Sequence, residues 1–243
     1  MEFRGRSALV TGAGHRVGRA IAVALAARGM RVAVHYNASA DRARETLGQI
    51  ERAGGEGSVF NADLTGAAAV TDLVSAVTST FGGLDVLVNS AAVMMRTPFG
   101  AITADQWDGI MKLNLRAPFL LAQAAAPYLR KTRGVIVNVA DLAAFETWPE
   151  YLPHGISKSG VVHMTRSLAR VLAPEVRVAG IAPGTVLLPD NWGEDAAEHL
   201  RQTTPLGRRG SPDDVTKTVL FILDSDYLTG ETIIVDGGRH IRR

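Results

Sequence analysis

The sequence predicts a single α/β domain built on one doubly wound parallel sheet of seven strands, with helices on both faces. Three observations predict it. Short apolar runs alternate with stretches of helical periodicity along all 243 residues. Runs such as Leu84-Asp85-Val86-Leu87-Val88-Asn89 and Gly134-Val135-Ile136-Val137-Asn138-Val139 are nearly continuous, as in strands covered on both faces. The stretch from Ser7 to Arg31 joins a strand to a helix through the glycine turn Thr11-Gly12-Ala13-Gly14. No linker or charge block divides the chain, so residues 1–243 read as one domain.

In that first unit, Ala8-Leu9-Val10 is the strand, and Val17, Ala20, Ile21, Ala24 and Leu25 share a helix face. A glycine turn lets a ligand approach the backbone, and the free N–H groups of the helix start attract an anion. Arg16 stands where a dinucleotide-binding turn habitually has its second glycine, with His15 and Arg19 beside it. Cations at a helix N-terminus cost roughly 0.3–1 kcal/mol each, so a negative ligand group is expected to compensate. The next strand, 31–36, runs into His35-Tyr36-Asn37-Ala38-Ser39 and offers no carboxylate for a ribose 2′-hydroxyl. That favours the 2′-phosphate of NADP over NAD.

A helix is predicted over 39–53, where Ser39 and Arg42 either cap it or meet a phosphate. Strand Ser58-Val59-Phe60-Asn61 leads to Asp63, placed to accept an adenine amino group or to cap the helix over 66–81. That helix ends at Phe81-Gly82-Gly83. Strand 84–89 stops at Asn89-Ser90-Ala91-Ala92, small residues against which a flat ring can lie. Residues 103–132 read as two helical pieces, and Asn114 among apolar neighbours must find partners, for a site or for a local kink. Strand 134–139 leaves Asp141 beyond its carboxyl end, where doubly wound sheets bind ligands. A helix over 155–173 carries Ile156, Val161, Val162, Met164 and Leu168, and His154 and Lys158 share a face at its first turn. Strand 177–181 breaks at Pro183-Gly184, and 185–204, with Leu187, Leu188 and Trp192, has the weak periodicity of a mobile lid. Ser211-Pro212-Asp213-Asp214 starts a last helix, and Thr232-Ile233-Ile234-Val235 is the last strand.

Hydrophobic residues make up 47% and charged residues 21%, an ordinary globular balance. A net charge of +2 argues against nucleic acid, and Arg239, Arg242 and Arg243 read as a solvated basic tail. The absence of cysteine excludes disulfides, thiolate catalysis and cysteine-held metal, and no other metal site is expected. With no apolar run of membrane-spanning length and no signal-peptide pattern in MEFRGRSALV, the expected location is the cytoplasm, away from membranes.

Thr11-Gly12 with Gly18, Asp63-Leu64, Asn89 with Ala91, Asn114, Lys158, Pro183-Gly184 and Val235-Asp236-Gly237-Gly238 occur in order. As a set they make the chain resemble the short-chain dehydrogenase/reductase family along essentially its whole length. TGAGHRVG with Arg16, the stretch HYNAS, and Asp141 in place of the family's active-site serine are most similar to its pteridine-reductase branch. The resemblance implies a Rossmann-like fold, NADPH as cofactor, a small-molecule substrate and a homotetramer assembled through 103–132 and 151–173. It assigns cofactor binding to Gly12, Arg16, Val17, Gly18, Tyr36, Asn37, Ser39, Asp63, Leu64, Asn89, Ala91, Lys158, Pro183, Gly184 and Val186. It implies reduction of a carbonyl or imine, with hydride from NADPH and a proton from a tyrosine. A lysine lowers that tyrosine's pKa and holds the nicotinamide ribose, a serine or aspartate orients the substrate, and an asparagine organises a water. Lys158, Asp141 and Asn114 match these roles, whereas the tyrosine of Tyr-x-x-x-Lys is His154 here.

As an imidazolium, with an unperturbed pKa of about 6.5, His154 can serve as the general acid. Lys158 disfavours that cation and Asp141 favours it, and activity is expected to decline above neutrality. Tyr151, three residues earlier, is a less direct source of a hydroxyl. Where the pteridine-reductase branch stacks an aromatic residue on the pterin, this chain has Val93-Met94-Met95-Arg96. Methionines with Trp148, Leu187 and Trp192 suit an apolar ketone or 3-oxoacyl thioester, while Phe99 reads as core. Three functions are therefore open: an NADPH-dependent carbonyl reductase, a dihydropterin reductase, and a silent NADP-binding protein in which His154 is an inert replacement.

Overall fold

The structure is a computed structural model that describes residues 2–186 and 193–241. Its elements are β1 (Ser7–Val10), α1 (Arg16–Ala27), β2 (Arg31–Tyr36), α2 (Ala40–Arg52), β3 (Glu56–Asn61), α3 (Ala67–Phe81) and β4 (Val86–Asn89). Then come α4 (Ala104–Met111), a π turn (Lys112–Arg116), α5 (Ala117–Thr132), β5 (Val135–Val139) and a 3-10 turn (Leu142–Ala144). The chain ends with α6 (Leu152–Leu172), β6 (Arg177–Pro183), α7 (Glu194–Thr203), α8 (Pro212–Asp224), β7 (Thr232–Val235) and a 3-10 turn (Arg239–Ile241). The seven strands form one parallel sheet in the order β3-β2-β1-β4-β5-β6-β7. The order reverses between β1 and β4, which opens a crevice at their carboxyl ends.

The continuous apolar strands divide their residues between two cores. Ala8, Val10, Val86, Val88, Val135 and Val137 pack with Ile21, Leu25, Ile50 and Val219 of α1, α2 and α8. Leu9, Leu87 and Ile136 point the other way, onto Val74, Val77, Leu121 and Leu129 of α3 and α5. Both faces are thus dry, as the strand pattern required. Caps fix several boundaries: Gly82 closes α3 at φ 73°, and Ser211 and Asp214 form a capping box with Pro212 in the first turn of α8.

Some boundaries move from their predicted places. Strand β4 starts at Val86 because the Asp85 carboxylate is used as a tie, accepting from Ser7 N (2.8 Å) and Arg6 Nη1 (2.8 Å). Strand β3 begins at Glu56, pairing Arg31 of β2. The buried face of α1 is Gly18, Ile21, Ala22, Leu25 and Ala26, rotated from the predicted one, because Gly18 packs directly on Gly12. Helix α6 starts at Leu152, with Tyr151 at its N-cap and Pro153 in the first turn, so His154 lies inside the helix. The weakly periodic 185–204 contains α7, whose buried side includes Ala197 and Leu200; Leu187, Leu188 and Trp192 lie outside the described residues. The two helical pieces of 103–132 meet at the π turn, with Asn114 buried at its centre. Among the described residues no helix is long and apolar enough to cross a membrane.

Candidate functional site

A cavity of about 1010 Å³ lies over the carboxyl ends of the strands and runs from the glycine turn after β1 to the start of α6. At the first end, Gly12 has φ 64° and Gly18 lies against it: a Cβ on Gly18 would stand 2.4 Å from the Gly12 carbonyl oxygen. Thr11 Oγ1 accepts from Ser90 N (2.9 Å) and Ala91 N (3.0 Å), which sews this turn to the end of β4. Arg16 adopts φ 53°, the left-handed conformation glycine would take there, at a cost of about 1–2 kcal/mol. Its side chain is exposed and lines the cavity. Arg19 points away: it donates to Gly14 O (2.7 Å) and pairs with Glu45 (2.8 Å), so its charge is balanced within the protein.

Val17, Tyr36, Asn37, Ser39, Leu64 and Ala91 line the same end. Ser39 takes the N-cap position of α2 without a side-chain cap bond, which leaves its hydroxyl for a ligand. Asp63 does not cap α3, whose N-cap is Gly66; its Oδ1 accepts from Thr65 N (2.9 Å) and Thr65 Oγ1 (2.8 Å), which hold its pKa below the usual carboxylate range. Asn89 is not part of the lining. It is buried in the sheet, where its Nδ2 donates to Asn138 Oδ1 (2.8 Å).

His35 carries a structural role that sequence reasoning missed. Its Nδ1 accepts from Gly12 N (3.1 Å) and its Nε2 meets Ala62 O (3.0 Å), so one neutral ring ties the glycine turn to the end of β3. The available signal was a histidine in an otherwise apolar strand, since a buried ring must be paired. Burial pushes its pKa down to about 4. Between pH 6.5 and 4 the unfolded chain takes up a proton there that the folded chain refuses, so stability falls with pH by up to about 3 kcal/mol. Denaturant titrations across that range are expected to show this loss, and His35→Gln to flatten it.

At the other end, Asp141 follows β5 and caps the 3-10 turn, its Oδ1 accepting from Ala143 N (2.8 Å). Asp141 Oδ2 stands 3.7 Å from His154 Nε2. His154 is 2% exposed; its Nδ1 lies 3.2 Å from the Val93 carbonyl, while Nε2 is buried with no hydrogen-bond partner among the described residues. Lys158, one turn further along α6, donates from Nζ to Val139 O (2.9 Å). Burial draws its pKa down to about 8, against the opposing charge of Asp141. Asn114 does not line the cavity: its Oδ1 accepts from Val93 N (2.8 Å) and its Nδ2 donates to Val93 O (2.9 Å) and Ser157 Oγ (3.1 Å). The structure places Asn114 in the structural role, within the distorted turn, where it latches the loop under the site.

Val93, Met94, Trp148 and Tyr151 form an apolar wall beside these groups, with Trp148 and Tyr151 edge to face at 6.3 Å. Phe99 belongs to neither the wall nor the core, being 86% exposed. Pro183, Gly184 and Val186 line the cavity after β6. Arg239 does too, which corrects its reading as a solvated tail: Asp236 accepts from Gly238 N (2.8 Å) and His240 N (2.7 Å), folding Arg239 back over the sheet. Arg242 and Arg243 lie outside the described residues. The cradle at Gly12 and Gly18, too tight for a Cβ, and the long cavity beyond it fit an extended dinucleotide.

A family profile described as enoyl-(acyl carrier protein) reductase matches residues 12–240. The chain is 34% identical over 242 residues to the 3-oxoacyl-(acyl-carrier-protein) reductase FabG of Staphylococcus aureus, covering 97% of this chain and 98% of that protein. It is 32% identical over 246 residues to 3beta-hydroxysteroid dehydrogenase 1 of Eggerthella lenta, covering 98% and 94%. Among solved structures, the promiscuous reductase LugOII, which catalyses keto-reduction at C1 during lugdunomycin biosynthesis, is similar at TM-score 0.90 and 34% identity over 99% of this chain and 100% of that one. A dehydrogenase/reductase from Sinorhizobium meliloti 1021 is similar at TM-score 0.91 and 31% identity, covering 97% and 95%. With its parallel sheet, glycine cradle and these full-length likenesses, the chain belongs to the short-chain dehydrogenase/reductase family.

Proposed function

We propose that this oxidoreductase reduces a carbonyl with NADPH, acting on a hydrophobic ketone or 3-oxoacyl thioester. The observation that carries the reading is the convergence of Asp141, His154 and Lys158 on one end of a cavity whose other end is the glycine cradle. When bound, the nicotinamide supplies hydride. Lys158, held by Val139 O, would hold the nicotinamide ribose, and Asn114 steadies the Val93 loop. The apolar wall of Val93, Met94 and Trp148, together with relatives named for keto-group chemistry, supports a ketone over a pterin. The proposed assembly is a homotetramer, supported by an apolar groove of Met111, Leu115, Phe119 and Met164 on the outer side of 103–132 and α6. The proposed compartment is the cytoplasm.

The choice of NADPH rests on Arg16, which holds a guanidinium at the cradle in a conformation unfavourable for any residue but glycine. One charge-assisted bond to the 2′-phosphate is worth about 1.5–3 kcal/mol, so NADPH is expected to bind roughly 10- to 100-fold tighter than NADH. Fluorescence titration of both cofactors, followed by steady-state oxidation against ketones, 3-oxoacyl thioesters and a dihydropterin, tests the reading. Preference for NADH removes the Arg16 argument. The burial of His154 Nε2 favours a second reading, a silent NADP-binding protein; that reading wins if the wild type turns over nothing while His154→Tyr does.

A further inference from the structure

From the geometry around His154 we infer that Asp141 delivers the proton to the substrate oxygen and that His154 acts through it, as the residue that supplies and positions that proton. The inference deepens the reductase reading and rests on it. An imidazole ends short of where a phenol on the same Cα would place its hydroxyl. In this structure Nδ1 lies 3.2 Å from the Val93 carbonyl and 3.4 Å from Asn114 Nδ2, whose two protons have nearer acceptors in Val93 O (2.9 Å) and Ser157 Oγ (3.1 Å). The Nδ1 proton is therefore committed to Val93, and Nε2 is the only ring atom with a proton to pass on.

Nε2 is buried, and the polar atom facing it is Asp141 Oδ2, at 3.7 Å. The Asp141 side chain is 27% exposed and lines the cavity, and its other oxygen is held by Ala143 N. Asp141 thus stands between the buried ring nitrogen and the cavity where a substrate lies. A separation of 3.7 Å is of the length that catalytic contacts show before substrate tightens them. Lys158 on the same helix is coupled to Asp141, and Arg96, Glu150, Tyr151 and Arg239 are the other titratable or charged groups lining this end.

The carbonyl carbon accepts hydride, with NADPH converted to NADP⁺, and the C=O π pair moves onto oxygen. His154 Nε2–H gives its proton to Asp141 Oδ2, and Oδ2 passes it to that oxygen, leaving the Asp141 carboxylate and a neutral ring with its Nδ1 proton on Val93. Once the alcohol departs, solvent returns one proton through Asp141.

The test compares Asp141→Asn, Asp141→Glu and His154→Asn by carbonyl-dependent NADPH oxidation across pH. NADPH fluorescence titration serves as the check that each variant is folded. Asp141→Asn is expected to bind NADPH yet lose about 10²–10⁴-fold in rate at every pH. Asp141→Glu should recover part of that loss. His154→Asn should lose less rate than Asp141→Asn, because Asp141 still lines the cavity and takes protons from solvent. Nitrogen-15 NMR of the cofactor-free protein gives a second readout: Asp141→Asn should move the His154 Nε2 signal and leave Nδ1 in place. An active Asp141→Asn beside a His154→Asn that is dead at all pH makes His154 the direct donor and overturns the inference. A wild type that binds NADPH and reduces nothing removes the reductase reading itself.

Discussion

Lys158→Met is expected to abolish most activity while making the protein more stable. Lys158 is 5% exposed, and among the described residues its ammonium donates to Val139 O. Burial lowers its pKa from 10.5 to about 8, with Asp141 opposing. The unfolded chain therefore holds this proton more tightly than the folded one, and at neutral pH the charge works against folding by up to about 3 kcal/mol. That burden is fully present below pH 8 and disappears as pH rises towards 10.5. Methionine fills the same space without charge and leaves Val139 O unpaired, so the net gain at pH 7 is about 1–2 kcal/mol. Loss of the group proposed to orient the reacting end should cost roughly 10²–10⁴ in kcat/KM. Denaturant midpoints at pH 7 and pH 10 beside steady-state rates check both halves. A variant less stable than wild type at pH 7 would show that Lys158 is stabilising and this account wrong.

Gly18→Ala is expected to damage the fold and the cofactor site together. The added Cβ would meet Gly12 O at 2.4 Å and Ala13 Cα at 3.2 Å, both backbone and neither able to swing aside. Helix α1 must then move off the turn, at about 1–3 kcal/mol for overpacking, and the N–H groups at its start move with it. NADPH affinity should fall at least tenfold, since a shift of that size forfeits on the order of 1.4 kcal/mol or more. Gly14→Ala is the control: its nearest contact would be 3.5 Å away, so its stability should stay within about 0.5 kcal/mol of wild type. Equal losses in the two variants would contradict this picture of the cradle.

The sheet was legible in the sequence because its strands are covered on both faces and so read as unbroken apolar runs between glycine-marked turns. Boundaries set by side-chain ties were not. Asp85 and the start of β4 belong to contacts with Arg6 and Ser7, some 78 residues away in sequence, which no local pattern records. Helix α7 escaped for a different reason, since Ala197 and Leu200 leave too little apolar signal to reveal a period. At the site, residue types at motif spacing located the cavity and most of its lining, but not the direction in which side chains point. Asn89 and Asn114 turn into the protein to hold β5 and the Val93 loop, and His35 couples two loops across the sheet. Arg239 reaches the cavity only because Asp236 bends the chain back.

The π turn at Lys112–Arg116 makes α4 and α5 two ends of one rod whose windings are out of phase. One residue beyond regular α winding rotates everything downstream by about 100°. That offset lets Asn114 face the Val93 loop while Leu121 and Leu129 face the sheet and Phe119 faces out. A regular helix through the same residues could satisfy the latch or the core, and not both.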